Sequence, residues 1–467
     1  TGSSTDSGNN HNWLFNDSIL TWDGDVNTDW NEPRNWNFSI VPLSTHTVII
    51  PDVTNDPQLT SDVTISSITI QVGGQLSLNN YDIIVSSSVY ISGSLICSNA
   101  EQITVGGSWS AYSGATFTAA SSTTTFNGSG SFNILSSGTT FYNLAFSNSV
   151  STWTLTDALY SAGDFTLTNS GNVDSNGKNL TIAGDFKING GKFTAGASTI
   201  KVGGDWNTSV SANAFTYNSS TVDLTGMGSL KTIGLTSFNN LKIAAEDKTT
   251  TLLSSVGVAD TLTIGNGTVT DDTSSFDLIM RKNSETPLSL GDATIKIESI
   301  VYRPSNGTVT VTGGNYGTST LELFPSESNA TFNLGGDVTA TARFWLVASA
   351  GKTLVCNTQN NGITATYLYF GDGSANGSTT LNCGTSTIDI GTSGVDMATN
   401  GGSHTLNLSS ATVYCAGNWQ LVDGTGSITQ NPGTSTVTFD GPSTSTSTLT
   451  GSTTFYGLVS TITGKTV

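Results

Sequence analysis

The chain has 467 residues, with 15 Lys and Arg against 34 Asp and Glu, for a formal net charge of −19. So few cations cannot displace the counterions of a phosphate backbone, which argues against nucleic acid as a partner, and no polybasic segment is offered to anionic lipid. The longest apolar runs fall far short of the roughly 20 residues that span a bilayer, so no membrane span is expected.

Only 10% of residues are charged, whereas Gly stands at 52 and Pro at 9. Ser, Thr, Asn and Gly fill the places that strong helix formers usually take, and Thr, Val, Ile and Phe favour strands. Hydrophobic residues, 36% of the total, alternate with Thr and Ser in short runs, which argues against disorder. The expectation is an all-β chain with many tight turns.

In chain order, residues 1–62 form an irregular region rich in Trp and Asp, TWDGDVNTDWNEPRNWNFSIVPLSTHTVIIP, with Trp22, Trp30 and Trp36. A solenoid must end in something that cannot be added to, because a bare coil offers a row of unpaired backbone groups. This region reads as an N-terminal cap.

Residues 63–247 read as a regular β-solenoid. The stretch NLTIAGDFKINGGKFTAGASTIKVGGDW, from Asn179, divides into pieces that alternate apolar and polar residues between Gly-containing corners. The corners Gly163-Asp164-Phe165, Gly184-Asp185-Phe186 and Gly204-Asp205-Trp206 recur at steps of about 20–21 residues, a solenoid period. Three short strands and three turns in about 20 residues make one coil of a parallel β-helix, and Phe165, Phe186 and Trp206 are expected to stack inside it. A longer repeat overlies the first: Gly128, Gly226 and Gly441 precede the pairs Phe141/Leu144, Phe238/Leu241 and Phe455/Leu458.

In residues 248–345 the corner motif is lost and charge and Pro rise, as at Arg281, Lys282, Glu285, Pro287, Arg303 and Pro304. Irregular coils and an inserted β subdomain both fit this section. Residues 346–467 return to a solenoid pattern, which is expected to continue past Val467 or to be completed by a neighbour.

The opening pattern is carried by Trp22, Gly24, Trp30, Asn35, Trp36, Val41, Pro42, Val48, Ile50 and Pro51. With the GDF/GDW corners and the STVTFDG…TTFYGL units, it resembles the β-strand-repeat surface proteins of bacteria and archaea. Those include large adhesins, surface-layer proteins and filament subunits. The resemblance covers most of the chain outside the middle section. It implies a parallel β-helix, export and an extracellular, cell-surface location, and it carries over no catalytic residue.

Candidate chemistry is sparse. Asp164, Asp185 and Asp205 share one coil position, where stacked carboxylates would lie about 5–6 Å apart and a Ca²⁺ ion would relieve their repulsion. The competing reading is that each accepts a backbone N–H in its own corner, which suits Asn418 in a related corner. Asp23, Asp25 and Asp29 read as a capped turn, since no Glu closes a calcium loop there. His11, His46 and His404 are isolated and are expected at the surface or in the cap. Cys356, Cys383 and Cys415 each follow apolar residues and read as small side chains on the inner face; with Cys97 the four are too sparse for a disulfide scaffold, and a disulfide between coils needs Cα atoms within about 7 Å.

Glycoside chemistry needs two carboxyls about 5–10 Å apart on a cleft. Most coils carry no Asp or Glu in their strands, so the chain is read as no enzyme, with no catalytic residue and no cofactor other than the calcium alternative. The expected function is an extracellular structural protein that assembles with copies of itself into a filament, sheath or surface layer. An adhesin binding surface glycans through exposed aromatics is the alternative, and burial of Trp22, Trp30 and Trp36 would argue for a cap instead. A polysaccharide lyase or hydrolase, housed around Arg281 to Arg303, is the third reading.

Overall fold

Short alternating strands that end at Gly-containing corners can only bury their apolar face by winding coil upon coil, and this is what the chain does. The structure is a computed structural model. It describes residues 18–169, 171–233, 237–271, 273, 275–283, 285–325, 327–371, 377–398, 402–422, 425–442, 444–460 and 467. The fold is all-β, with parallel sheets stacked as a β-solenoid of about 18 turns whose coils lie about 22 residues apart. Among the described residues the single helix is the 3-10 turn Pro33–Asn35. The chain divides into two units, residues 1–184 with 188–194, and residues 185–187 with 195–467.

In the first unit each coil has three short faces. Thr123–Phe126, Ser131–Leu135 and Thr140–Phe141 make one coil, and Asn143–Phe146 then returns to lie on Thr123–Phe126. Coils are 20–21 residues long here: Ser67 bonds Thr47 twenty residues earlier. Inward residues form an aromatic column, with Phe126 stacked on Phe146 at 5.3 Å and Phe146 tilted against Phe165 at 5.4 Å. Such pairs contribute about 0.5–1.5 kcal/mol each beyond their burial.

The Trp-rich region supplies strands of its own. Ile19–Thr21 pairs with Thr47–Ile50, which pairs with Ser67–Ile70. Trp22, Trp30 and Trp36 are fully buried, with Trp36 edge-on to Trp22 at 5.0 Å and to Trp30 at 4.8 Å. Asn35 is buried beside them and satisfied throughout. Its Oδ1 accepts the N–H groups of Val26 and Asn27, and its Nδ2 donates to Asn27 Oδ1 and the Asp29 carbonyl.

The second unit begins with the same short strands. Phe186 stacks on Trp206 at 4.3 Å with rings 11° apart, and Trp206 meets Phe238 at 5.4 Å. Through the section that lost the corner motif, Val256–Ile264, Asp277–Met280, Ser299–Tyr302 and Thr320–Leu323 follow one another in a single parallel ladder. Beyond it the coils change form. Val338–Leu346, Ile363–Phe370 and Thr387–Ala398 are long strands that bend at register shifts, between Ala340 and Arg343 and between Ala365 and Tyr367. A bulge turns the strand without a separate corner. These coils are longer than the early ones: Asn382 bonds Asn357 twenty-five residues earlier.

Two features of the first unit identify where coil-on-coil stacking is least forgiving. The repeat glycine Gly128 lies against the coil before it, where an added Cβ would stand 1.8 Å from the Gly106 carbonyl oxygen. Gly226 of the second unit meets the Gly203 carbonyl in the same way. Glu101, 2% exposed, accepts the N–H groups of Asn80, Ser98 and Asn99. Burial raises its pKa, but these backbone donors outweigh burial and hold it below the usual glutamate value.

Gly128→Ala is expected to destabilise the first unit by about 1–3 kcal/mol, since the backbone must shift to admit one methyl group; a lowered thermal midpoint checks this. Because the folded pKa of Glu101 is depressed, its contribution is present above the unfolded value of 4.5 and is lost as pH falls through the folded value. Thermal midpoints measured from pH 7 to pH 3 should fall more steeply for the wild type than for Glu101→Gln.

Candidate functional site

The longer coils of the second unit build a six-stranded outer face. Six strands stack in parallel: Gly307–Val311, Ala330–Leu334, Thr353–Asn357, Ser378–Asn382, Ser403–Asn407 and Ser427–Asn431. Their apolar residues, such as Phe332, Cys356 and Leu381, point inward. The intervening residues face out and fall into register. One column runs Thr331, Val355, Thr380, Thr405 and Thr429. A second runs Thr353, Ser378, Ser403 and Ser427, with Ser427 donating to Ser403 at 2.8 Å.

The third column is an asparagine ladder. The Nδ2 of Asn357 donates to Asn333 Oδ1 at 2.9 Å, Asn382 to Asn357 at 2.7 Å, Asn407 to Asn382 at 2.6 Å and Asn431 to Asn407 at 2.6 Å. Each inner amide, at Asn357, Asn382 and Asn407, spends one N–H and one lone pair on its neighbours in the ladder. The ladder walls a groove of about 490 Å³, which Gln359, Asn360, Gly384 and Ser409 also line. The lining is polar and uncharged.

The residues singled out from the sequence lie elsewhere. The carboxylates of Asp185 and Asp205 accept backbone N–H groups from the next coil, Asp205 N at 2.7 Å and Ser229 N at 2.7 Å. Asp185 also pairs with Lys187 at 2.6 Å, and the Asp164 backbone N–H donates to Asn143 Oδ1 at 3.0 Å. Burial opposes ionisation of Asp185, but Lys187 and the Asp205 N–H prevail and lower its pKa. The Gly before each Asp serves close approach: an added Cβ on Gly163 would stand 2.3 Å from Asn143 Oδ1, and one on Gly184 would stand 2.4 Å from Asp164 Oδ1. Gly204 precedes Asp205 in the same position, and its carbonyl lies against Gly228. Asp29 takes the N–H of Asn31 and the hydroxyl of Thr60, as a capped turn does.

His404 corrects an expectation. It is 1% exposed rather than at the surface, because its strand position faces inward, and its Nδ1 lies 2.7 Å from Thr379 Oγ1. His46 accepts the Leu43 N–H in a turn, and His11 lies outside the described residues. Cys97, Cys356 and Cys383 are buried free thiols, and Cys415 is buried with its Sγ 3.6 Å from the Gly417 carbonyl oxygen. Burial pushes Cys97 and Cys383 up to about 12, so neither is poised as a nucleophile.

Around Arg281 to Arg303, Ser299 Oγ donates to Asp277 at 2.5 Å and burial raises the Asp277 pKa. The Arg303 guanidinium lies 4.8 Å over Phe324. Among the described residues no three His, Cys, Asp or Glu side chains form a metal-sized group, and no helix is long and apolar enough to cross a membrane.

The geometry defines a parallel β-solenoid whose coils change from three short faces to a broad polar face. The chain belongs to the family described as Domain of unknown function (DUF8693), whose model matches residues 21–254. No curated protein and no solved structure matches the chain. The polar face lies beyond the matched residues.

Sequence reading missed this face because it followed the 20-residue corner. The available signal was Asn closing successive strands in TFN, VCN, TLN, TLN and TQN at steps of 24–25 residues. Asn382→Ala removes two amide–amide bonds from the middle of the ladder. It should cost about 1–3 kcal/mol, measured by denaturant unfolding.

Proposed function

We propose that this chain is an extracellular structural protein of the cell surface, whose copies associate through the polar face of the second unit into a filament, sheath or surface layer. One observation carries the reading: a chain of net charge −19 keeps the outward positions of four successive strands, from Thr353 to Asn431, free of charge. Copies of an acidic protein repel one another wherever their carboxylates meet, and this face is one place where they do not. Its columns repeat at the strand spacing of about 4.8 Å, so an identical array can pack on it in register, and a two-fold pairing would use the same surface on both partners.

The role is mechanical rather than catalytic. Within each unit successive strands are hydrogen-bonded from coil to coil, and the groove beside the asparagine ladder is lined by amides, hydroxyls and glycine rather than by acids or bases. Asp185, Asp205 and Glu101 are engaged with backbone N–H groups.

Electron microscopy and sedimentation velocity at rising concentration test the reading. The wild type should form polymers or layers. Thr380→Lys/Thr405→Lys, which places two ammonium groups on adjacent strands of the face, should stay as single molecules with its thermal midpoint within a few degrees of the wild type. Wild-type protein that remains monomeric at every concentration, or a double variant that assembles equally well, overturns the proposal.

A further inference from the structure

Trp22, Trp30 and Trp36 are buried, yet the second unit does expose a cluster of large aromatics. Arg343 and Trp345 on Val338–Leu346, and Tyr367 and Tyr369 on Ile363–Phe370, alternate with the buried Phe344, Leu346, Leu368 and Phe370 and so stand half-exposed on the outer face. Tyr367 and Tyr369 stack along their strand at 5.3 Å with planes 19° apart, and Trp345 meets Tyr369 across the strands at 5.9 Å. The Arg343 guanidinium sits among them, 5.1 Å from the Trp345 ring and 5.6 Å from each tyrosine ring.

The register extends this cluster into a row. Glu322 lies beside Trp345, Trp345 beside Tyr369, Tyr369 beside Asp396, and Asp396 beside Gln420. Four strand spacings of about 4.8 Å make the row about 19 Å long. Asp396 accepts the Tyr367 hydroxyl at 2.7 Å, and Trp345 Nε1 donates to the Gly371 carbonyl at 2.5 Å, so both rings are held in place. Burial first, and then Asp396, raise the Tyr367 phenol, which therefore stays a neutral donor.

We infer that this row is a binding site for a neutral polysaccharide, with Trp345, Tyr367 and Tyr369 contacting the apolar faces of successive sugar rings while Glu322, Asp396, Gln420 and Arg343 hydrogen-bond their hydroxyls. Three large rings gathered around a guanidinium on one outer face are the informative feature, since single exposed apolar side chains such as Tyr90, Tyr112 and Tyr414 are ordinary surface. The strands of the row are paired on both sides, so a peptide finds no open edge to extend. A protein partner would have to bury Glu322, Asp396 and Arg343, at a desolvation cost that a polyhydroxyl ligand avoids by bonding them. Two carboxylates against one guanidinium, on a chain of −19, disfavour uronate or sulfated chains.

The test is retardation of the full chain in native gels containing β-glucan, galactomannan or polygalacturonate, with titration calorimetry on whichever retards it. The expected result is retardation by a neutral polymer and not by polygalacturonate. Tyr369→Ala should weaken binding at least tenfold, and Asp396→Asn, which keeps the packing, several-fold, each with an unchanged thermal midpoint. Thr380→Lys/Thr405→Lys should bind as the wild type does, which separates this site from assembly. No retardation in either neutral gel, retardation by polygalacturonate alone, or equal binding by Asp396→Asn and Tyr369→Ala overturns the inference. So does a Tyr369→Ala change confined to the sedimentation coefficient, which would make the row a contact between copies. If Tyr369→Ala does not fold, Asp396→Asn alone decides.

Discussion

Parallel, in-register hydrogen bonding between coils is the constraint from which the other features follow. Each residue must tolerate, at about 4.8 Å, the residue one coil earlier and the residue one coil later. Where two backbones approach more closely than a side chain allows, only Gly fits, as at Gly128 over Gly106 and Gly226 over Gly203. Where apolar residues superimpose, rings pack on one another, as in the Phe126–Phe146–Phe165 column and in Phe186 stacked on Trp206. Where polar residues superimpose, they must bond to one another or repel. The asparagine ladder takes the first course, and the corner aspartates avoid the second by accepting N–H groups from the neighbouring coil.

The same rule explains why the outer faces differ. In the first unit three short strands and three corners consume the coil, and each face is two to five residues wide. Adding about four residues to the coil and replacing one corner with a bulge gives the second unit longer strands, and with them wider faces. One such face carries uncharged hydroxyls and amides, and the long-strand sheet carries the ring and guanidinium cluster. Both proposals of function rest on this widening, because neither array exists on the short coils.

Much of the fold was legible because a solenoid writes its geometry as a period. The Gly-Asp-aromatic corners at 20–21 residues led to stacked coils, and the alternation of single strands told inside from outside. Trp22, Trp30 and Trp36 are buried, while Asp185 and Asp205 accept backbone N–H groups from the next coil rather than from their own corners as the simpler reading had it. The polar face escaped because its period is 24–25 residues and its marker is a plain Asn at a strand end. His404 was misplaced because an isolated polar residue gives no sign that its neighbours in the strand turn it inward, where Thr379 of the preceding coil can bond it.

By itself the sequence determined strand alternation, corner spacing and the positions where only Gly can stand, since these depend on residues close in the chain or one coil away. Which side chains become neighbours across coils was decided by tertiary structure alone. Trp345, Tyr369 and Asp396 are 24–27 residues from one to the next, and they form one row only because a bulge in each of two strands resets the register. A shift of one residue would turn every one of these side chains to the opposite face, and local pattern carries no record of it.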